Sequence, residues 1–426
     1  NHVFDPFSGS GTTNLTCKLA GIKSVGIEIN PTMHSILESK LDWNINLRLF
    51  KQIMDDFTIP NIITQEPPAF LENERQFEPG ILQNLLGIKQ YINTITNLKI
   101  QRLFFTAFGS ILLDCSNLKR SPSVGYAEKN YLYDDYPIDQ FKTKIKQIYD
   151  DLKSLEGDVI TYKVVKINKS SGFTETLGEF DNEVDAKKCE LENHQYPWIK
   201  YTYHHNTTFK HSIKTSLFEF EIKILRSETE HQVHLGNSSV KIINQDSVDY
   251  TITSPPYLNF FDYPGNYKIE MGWLEHVSST KDLKRIKDEM VPCDNISRGL
   301  VREYMEKERI FSHEWLDYIE TTVQANTDVR PGIRRKDFPG IIKKYFDDMA
   351  LIIDHVAHAT KTGGMFLLVV GDSLLTDVYV PTDILLIKIA EEYGFELETL
   401  KITRKRRSGI RRSFRLRETV AYLRKK

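Results

Sequence analysis

A chain of 426 residues is too long for one ordinary hydrophobic core, so two or three domains are expected. Hydrophobic residues at 40% and charged residues at 27% fit an ordinary globular protein, and no internal repeat or low-complexity tract stands out. The net charge of −2 argues for no partner class, yet residues 403–426 carry eleven Lys/Arg against Glu418 alone, or +10, which leaves −12 on the rest: a basic, polyanion-facing end on an acidic body.

Residues 2–22, HVFDPFSGSGTTNLTCKLAGI, read as a short apolar strand, a Gly/Ser turn and a helix with Leu15, Leu19 and Ala20 on one face. SVGIEINP follows as a second strand that ends in Glu28 and is closed by Pro31, and TMHSILESKLDW as a second helix. This β-α-β-α start opens a doubly wound α/β sheet. The rhythm then breaks. Residues 46–78 look irregular, 79–118 read as helices with apolar residues at three- and four-residue spacing, and 157–230 alternate in the manner of strands (GDVITYKVVKI, WIKYTYHH, SLFEFEIKIL).

The α/β rhythm resumes with SVDYTITSPPY, and a second irregular stretch covers 275–338. IIKKYFDDMALIIDHVAHAT reads as an amphipathic helix, KTGGMFLLVVGDS as a turn and a buried strand, and PTDILLIKIAEEYG as a helix with Pro near its start and Gly after its end. FELETLKITRKRR and RETVAYLRK read as two closing strands around a basic loop, 404–417, in which Ile410, Phe414 and Leu416 interleave with the charges. The expected division is a sheet domain of 1–45 and 232–426, an inserted region of 46–231 (helical over 79–156, β-rich over 157–230), and a second, smaller insertion at 275–338.

The cysteines Cys17, Cys115, Cys189 and Cys293 lie far apart with no C-x-x-C pair, which disfavours zinc and a disulfide framework and fits a reducing compartment. No apolar run approaches the ~18 residues of a membrane span, and no signal-peptide layout is seen, so a cytoplasmic protein without membrane or metal partners is expected.

Two motifs carry chemistry. DPFSGSGTT, Asp5 to Thr13, sets Gly9 and Gly11 at a strand-to-helix turn, where the missing Cβ lets backbone approach a ligand. Glu28 stands at the tip of the next strand, where a carboxylate can accept both hydroxyls of a ribose. The turn has neither the third glycine of a dinucleotide fingerprint nor the Lys-Ser/Thr pair of a nucleotide-triphosphate loop, which points to S-adenosylmethionine. The second motif is TITSPPYLNFFDY, 251–263. Its paired prolines cannot donate ladder hydrogen bonds, so a strand must end there in a stiff, aromatic-rich lip. An exocyclic amino group on a base is a poor nucleophile that needs acceptors aimed at its N–H bonds. The Ser254 hydroxyl and the Pro255 carbonyl can serve, and Tyr257 can stack on a base flipped out of a duplex.

Asp5-Pro-Phe-Ser-Gly-Ser-Gly-Thr-Thr followed far downstream by Thr253-Ser-Pro-Pro-Tyr257 resembles the DNA amino-methyltransferases, the S-adenosylmethionine-dependent N4-cytosine/N6-adenine family. GIEINP, YFDDMALIIDHV, KTGGMFLLVVGDS and RLRETVAYLRK extend the likeness over 1–45 and 235–426, and FFTAFGSILLDCSNLKR is similar to a segment in the insertions of some members. The resemblance implies a Rossmann-like class I methyltransferase sheet with a large α+β target-recognition insertion. It implies that Asp5, Phe7, Gly9, Ser10, Gly11, Thr12, Glu28 and Asn237 hold the cofactor, and that Ser254, Pro255, Pro256 and Tyr257 hold the base.

After the third strand the family carries an acid; HLGNSSVKI offers Asn237 instead, with Asp246 further on. The family usually has a segment ahead of the glycine turn that packs on the methionine moiety; with four residues before Asp5, that segment is expected to be missing, truncated or supplied elsewhere. Ser at the head of the tetrapeptide favours cytosine N4 over adenine N6, where Asp or Asn is commoner. Double-stranded DNA is the expected partner, with Arg404, Arg406, Arg407, Arg411, Arg412 and Arg415 on phosphates. A restriction or defence partner, an RNA substrate and a non-catalytic DNA-binding relict all stay open.

Bland roles compete at several positions. Phe260, Phe261 and Tyr263 can cover core, Asp262 can cap a turn, and Trp273 reads as core. Asp372 ends a strand at the sheet edge, as a site residue or a turn cap. His204 and His205, flanked by Tyr201 and Tyr203, read as a strand face or nucleic-acid surface rather than a metal site.

Overall fold

The computed structural model describes residues 1–42, 45–120, 124–127, 132–154, 161–168, 174–180, 210–214, 218–225, 230–258, 262–292, 296–329, 335–408 and 414–426. Cys189, Cys293, His204, His205, Tyr201, Tyr203, Phe260, Phe261, Arg411 and Arg412 lie outside them, as does the side chain of Arg406.

Seven strands build the central sheet: β1 (His2–Asp5), β2 (Lys23–Glu28), β3 (His231–Leu235), β4 (Val248–Thr253), β5 (Thr360–Gly371), β6 (Phe395–Ser408) and β7 (Phe414–Lys425). They lie in the order β6-β7-β5-β4-β1-β2-β3. β3, β2, β1, β4 and β5 run parallel, β7 is antiparallel to β5, and β6 is antiparallel to β7. This is the mainly parallel, mixed α/β sheet that the alternating rhythm predicts. Strand order reverses between β1 and β4, and the crevice beyond the carboxyl ends of such strands is where a doubly wound sheet takes its ligand.

Strands covered on both faces carry near-continuous apolar runs, as Val3-Phe4 and Phe366 to Val370 do. Helix α1 (Thr12–Leu19) follows β1, and α2 (Pro31–Leu41) follows β2. Asn30 starts α2 by accepting the Thr32 N–H at 3.0 Å, and Pro31 takes the first helical position, where its missing N–H costs nothing. Farther along lie helices α3 (Pro79–Asn93) and α4 (Leu98–Leu112), then α5 (Phe338–Ala359) before β5 and α6 (Thr382–Glu392) after it. The largest core joins Phe4, Ile27 and Leu368 of the sheet to Phe346, Ile353 and Val356 of α5 and Leu386 of α6. His355, wholly buried in α5, donates from Nδ1 to the Ser238 carbonyl at 2.8 Å and accepts the Ile243 N–H on Nε2 at 3.3 Å, so the β3–β4 connection is bolted to the core by a neutral imidazole.

The chain forms two compact units. One comprises Asn1–Trp43, Phe57–Lys144 and Glu230–Lys426, so the helical stretch with α3 and α4 belongs to the unit of the sheet. The other comprises Asn44–Asp56 and Ile145–Thr229 and contains an antiparallel sheet of Thr161–Asn168, Thr174–Phe180, Lys210–Lys214 and Phe218–Leu225.

Both stretches that read as irregular contain helices. Leu47–Asp55 is started by Asn46, and Thr280–Glu289, Arg298–Met305 and Glu314–Val329 occupy the second stretch. Charged residues dilute their apolar faces, but Leu316, Ile319 and Val323 are buried at helical spacing, and Ser279 caps its helix by accepting the Asp282 N–H. Residues 404–408 and 414–417 of the basic stretch are strand, because the β6–β7 ladder continues through Arg407↔Arg415 to Ser408↔Phe414. Trp273 is core, edge-on to Phe77 with ring centroids 5.5 Å apart.

Gly11 stands at φ +87°, and a Cβ there would meet Leu37 Cδ1 of α2 at 2.1 Å. Gly11→Ala is therefore expected to cost on the order of 2 kcal/mol in urea unfolding, from overpacking and a strained backbone together.

Candidate active site

The turn after β1 is held by its own backbone. The Ser8 N–H donates to the Ile27 carbonyl at 3.0 Å, the Gly11 N–H to the Ser8 carbonyl at 2.8 Å, and Lys40 of α2 donates to the Ser10 carbonyl at 2.8 Å. Gly9 sits at φ +53°, and a Cβ on it would meet no atom within 4 Å. A side chain there would fill open space that a ligand can use instead.

Glu28, at the end of β2, turns its carboxylate to this loop. Oε2 accepts the Gly9 N–H and Oε1 the Asn30 N–H, both at 2.7 Å. Each oxygen keeps a second lone pair for an outside donor. Burial pushes the Glu28 carboxyl up to about 7, against which the two N–H bonds work only in part.

Asp5 ties the two motifs together. Its Oδ1 accepts the Phe7 N–H at 3.0 Å and the Thr253 hydroxyl of β4 at 2.7 Å, and its burial raises its pKa from the ordinary value. Ser254 follows Thr253 and is exposed, Pro255 is buried, and Tyr257 is half-buried against the main core.

A cavity of about 290 Å³ opens at this strand reversal. Phe7, Gly9, Ser10, Glu28, Asn237, Ser254 and Pro256 all line it, so residues from both motifs meet in one space. Asp5, Gly11, Thr12, Pro255 and Tyr257 do not line it. Asp5 and Gly11 instead shape the turn from beneath, one through its carboxylate and the other through its contact with α2.

The family model N6_N4_Mtase, described as DNA methylase, matches residues 1–39. The Type II methyltransferase M.BsoBI of Geobacillus stearothermophilus is 25% identical over 430 residues, covering 96% of this chain and 75% of its own length. The Type II methyltransferase M.AvaI of Nostoc sp. (strain PCC 7120) is 24% identical over 412 residues, covering 94% of this chain and 74% of its own. The family model and both relatives support the resemblance to the DNA amino-methyltransferase family. No solved structure matches.

The chain builds much of its cavity from residues that the motifs do not announce. Ile29, Met33, Met290 and Val291 supply apolar wall, and Tyr263, Tyr267 and Glu289 also line it. Met33 had a signal, since it follows the N-cap of α2 beside Glu28. The 289–291 segment had none, because it reaches the site through the fold alone. Asn237 anchors that segment: its Nδ2 donates to the Glu289 carbonyl at 2.8 Å while its Oδ1 accepts the Ser239 N–H at 2.9 Å. Asp262 accepts the Gly265 N–H as a helix cap and pairs with Lys287, and Tyr263 reaches the cavity rather than only covering core.

Beyond the cavity, β6 and β7 run on as a two-stranded ribbon from the same sheet edge. Lys405 faces Arg417 and Arg407 faces Arg415, which puts four cations on one face. Like charges directly opposite destabilise a ladder unless an anion lies across them. Lys405, Arg407 and Arg415 are exposed, as is Arg404. Arg417 is engaged at the ribbon's foot, 3.2 Å from Asp372 and 3.1 Å from Asp383, two carboxylates that are wholly buried. Tyr379 also donates to Asp372 at 2.5 Å, and burial pushes Asp372 up to about 6, so this strand-end acid anchors the ribbon. Among the described residues no cluster of three His, Cys, Asp or Glu could hold a metal, and no helix is long and apolar enough to cross a membrane.

Two outcomes follow for the cavity. A ligand that needs the ionised Glu28 should bind more tightly as pH rises through about 7 and lose up to about tenfold per unit below it, as calorimetry from pH 5.5 to 8.5 would show. Asn237→Asp, which restores the family's acid, should weaken the same binding, because a carboxylate oxygen would then face the Glu289 carbonyl in place of a donor.

Proposed function

We propose that this chain is a site-specific DNA methyltransferase that moves the methyl group of S-adenosylmethionine to the exocyclic N4 amino group of a cytosine flipped out of the duplex. The observation that carries the reading is a cavity lined by Gly9 of the glycine turn, by Glu28 and by Ser254 together. The Type II naming of the relatives supports a role in restriction-modification or phage defence.

The residues suit the cofactor. Glu28 offers two carboxylate oxygens to a ribose diol, Gly9 leaves room for it, and Ile29, Met33, Met290 and Val291 form apolar walls for a purine. S-Adenosylmethionine, when bound, supplies a methyl group on a sulfonium, which the amino nitrogen can attack without a covalent enzyme intermediate. The chain's part is positioning and electrostatics. The Ser254 hydroxyl and the Pro255 carbonyl accept the two amino N–H bonds, which draws the nitrogen lone pair out of the ring. Tyr257 stacks on the extruded base. A neutral Ser254 accepts one such bond without a fixed charge, which suits cytosine better than an adenine served by a carboxylate.

Lys405, Arg407 and Arg415 are assigned to phosphates, which set affinity and register rather than sequence. Sequence reading is assigned to the inserted region 46–231, including the antiparallel sheet of Thr161–Asn168, Thr174–Phe180, Lys210–Lys214 and Phe218–Leu225.

The deciding experiment is methyl transfer from labelled S-adenosylmethionine to mixed genomic DNA, digested to nucleosides and read by mass spectrometry. N4-methylcytosine is expected. N6-methyladenine would keep the mechanism and overturn the base assignment, product on RNA alone would move the substrate, and no product with normal cofactor binding would leave a DNA-binding relict. Ser254→Ala should lower the transfer rate about 10²-fold, the usual cost of one aimed hydrogen-bonding group. A triple Gln variant at Lys405, Arg407 and Arg415 should weaken DNA binding and flatten its salt dependence by roughly three counterions, with cofactor affinity unchanged.

A further inference from the structure

Ser254, Pro255, Pro256 and Tyr257 form a stretch that ordinary ladder bonds cannot fix, because neither proline has an N–H to donate. Two hydroxyl contacts from distant elements hold it instead. Tyr345, wholly buried in α5, donates its hydroxyl to the Pro256 carbonyl at 2.9 Å. Tyr257 donates its own hydroxyl to Glu418 Oε2 at 3.1 Å. Glu418 lies on β7 where the sheet ends and the cationic ribbon begins, opposite Gly371 on one side and Arg404 on the other. Neither Tyr345 nor Glu418 lines the cavity.

We propose that Tyr345 and Glu418 are positioning residues for the methyl transfer, acting through the tetrapeptide and not on the substrate. The inference rests on the reading of this chain as an amino-methyltransferase acting at Ser254–Tyr257. Tyr345 pins the Pro256 carbonyl, and the ring-locked φ of Pro256 carries that constraint to the preceding peptide plane, which aims the Pro255 carbonyl at the amino group. Glu418 pins the far end of the Tyr257 ring and so fixes the plane on which the base stacks. An error of about 1 Å in such a group can cost ~10²-fold in rate, so two anchors on a stretch whose two prolines have no N–H bear directly on turnover. Because Glu418 sits at the foot of the ribbon, the ring plane is set by the same strand that carries the phosphate-facing cations.

The test compares wild type, Tyr345→Phe, Glu418→Ala and Glu418→Gln, each as the full chain. For each, the single-turnover methyl-transfer rate, the S-adenosylmethionine and DNA dissociation constants and the melting temperature are measured. Tyr345→Phe and Glu418→Ala should each slow transfer 10- to 100-fold while both dissociation constants stay within about twofold. Glu418→Gln, which keeps an acceptor for the Tyr257 hydroxyl, should restore at least half of the wild-type rate. An active wild type with either deletion variant transferring at the wild-type rate overturns the inference while leaving the function intact. Losses of rate that track cofactor affinity and melting temperature in proportion also overturn it, since they describe a fold defect. If Tyr345→Phe fails to fold, the Ala/Gln contrast at Glu418 decides. A wild type inert on every nucleic acid overturns the functional reading itself, and this inference with it.

Discussion

The hydrogen bond from the Thr253 hydroxyl to the Asp5 carboxylate, 2.7 Å long and buried, joins residues 248 positions apart in sequence. It closes the carboxyl ends of β1 and β4, already paired through Val3↔Tyr250 and Phe4↔Thr251. The glycine turn leaves β1 at the next residue and Ser-Pro-Pro-Tyr leaves β4 at the next residue, so this contact sets the spacing between the two motifs. Burying a carboxylate is costly, and hydrogen bonds from the Thr253 hydroxyl and the Phe7 N–H offset that cost only in part, since the Asp5 pKa stays raised. Removing either partner would leave an under-satisfied acid beneath both halves of the site.

The charges are arranged in layers outward from that bond. Glu28 stands at the mouth of the turn with its proton affinity raised by burial and two backbone donors fixing its orientation. Farther along the edge, Asp372 and Asp383 are buried against Arg417 and Tyr379. A carboxylate pair so deeply buried is tolerable only because a guanidinium and a hydroxyl serve it. The outcome is mechanical: the first residues of the ribbon are fixed to β5 and α6, and the cations beyond them project from a rigid foot. A body of net negative charge thus carries an excess of positive charge on one narrow element.

Much of this site was legible because its chemistry is local. Gly9 and Gly11 announce a turn that needs positive φ, Glu28 announces a strand tip, and the paired prolines announce a strand end, each from a few adjacent residues. Other parts were illegible for equally physical reasons. The helix at Thr280–Glu289 carries so much charge that its apolar stripe looks broken in sequence. The cavity wall at Met290 and Val291 depends on Asn237 reaching a carbonyl more than fifty residues away, and no spacing rule encodes that. The basic stretch read as a loop because charge suppresses strand signals, whereas main-chain pairing with a neighbouring strand is indifferent to it.

The sequence by itself determined the alternating α/β order, the glycine turn, the acid after the second strand and the stiff Ser-Pro-Pro-Tyr end, since each follows from backbone freedom, hydrophobic period or the missing N–H of proline. Tertiary structure alone decided that Asp5 faces Thr253 while Glu28 faces the cavity, that Asn237 braces the 289–291 wall, and that Tyr345 and Glu418 grip the tetrapeptide. These are contacts between side chains brought together by the parallel order of the sheet. Local sequence sets which groups a strand end can offer. Only the packing of distant strands and helices sets what those groups meet.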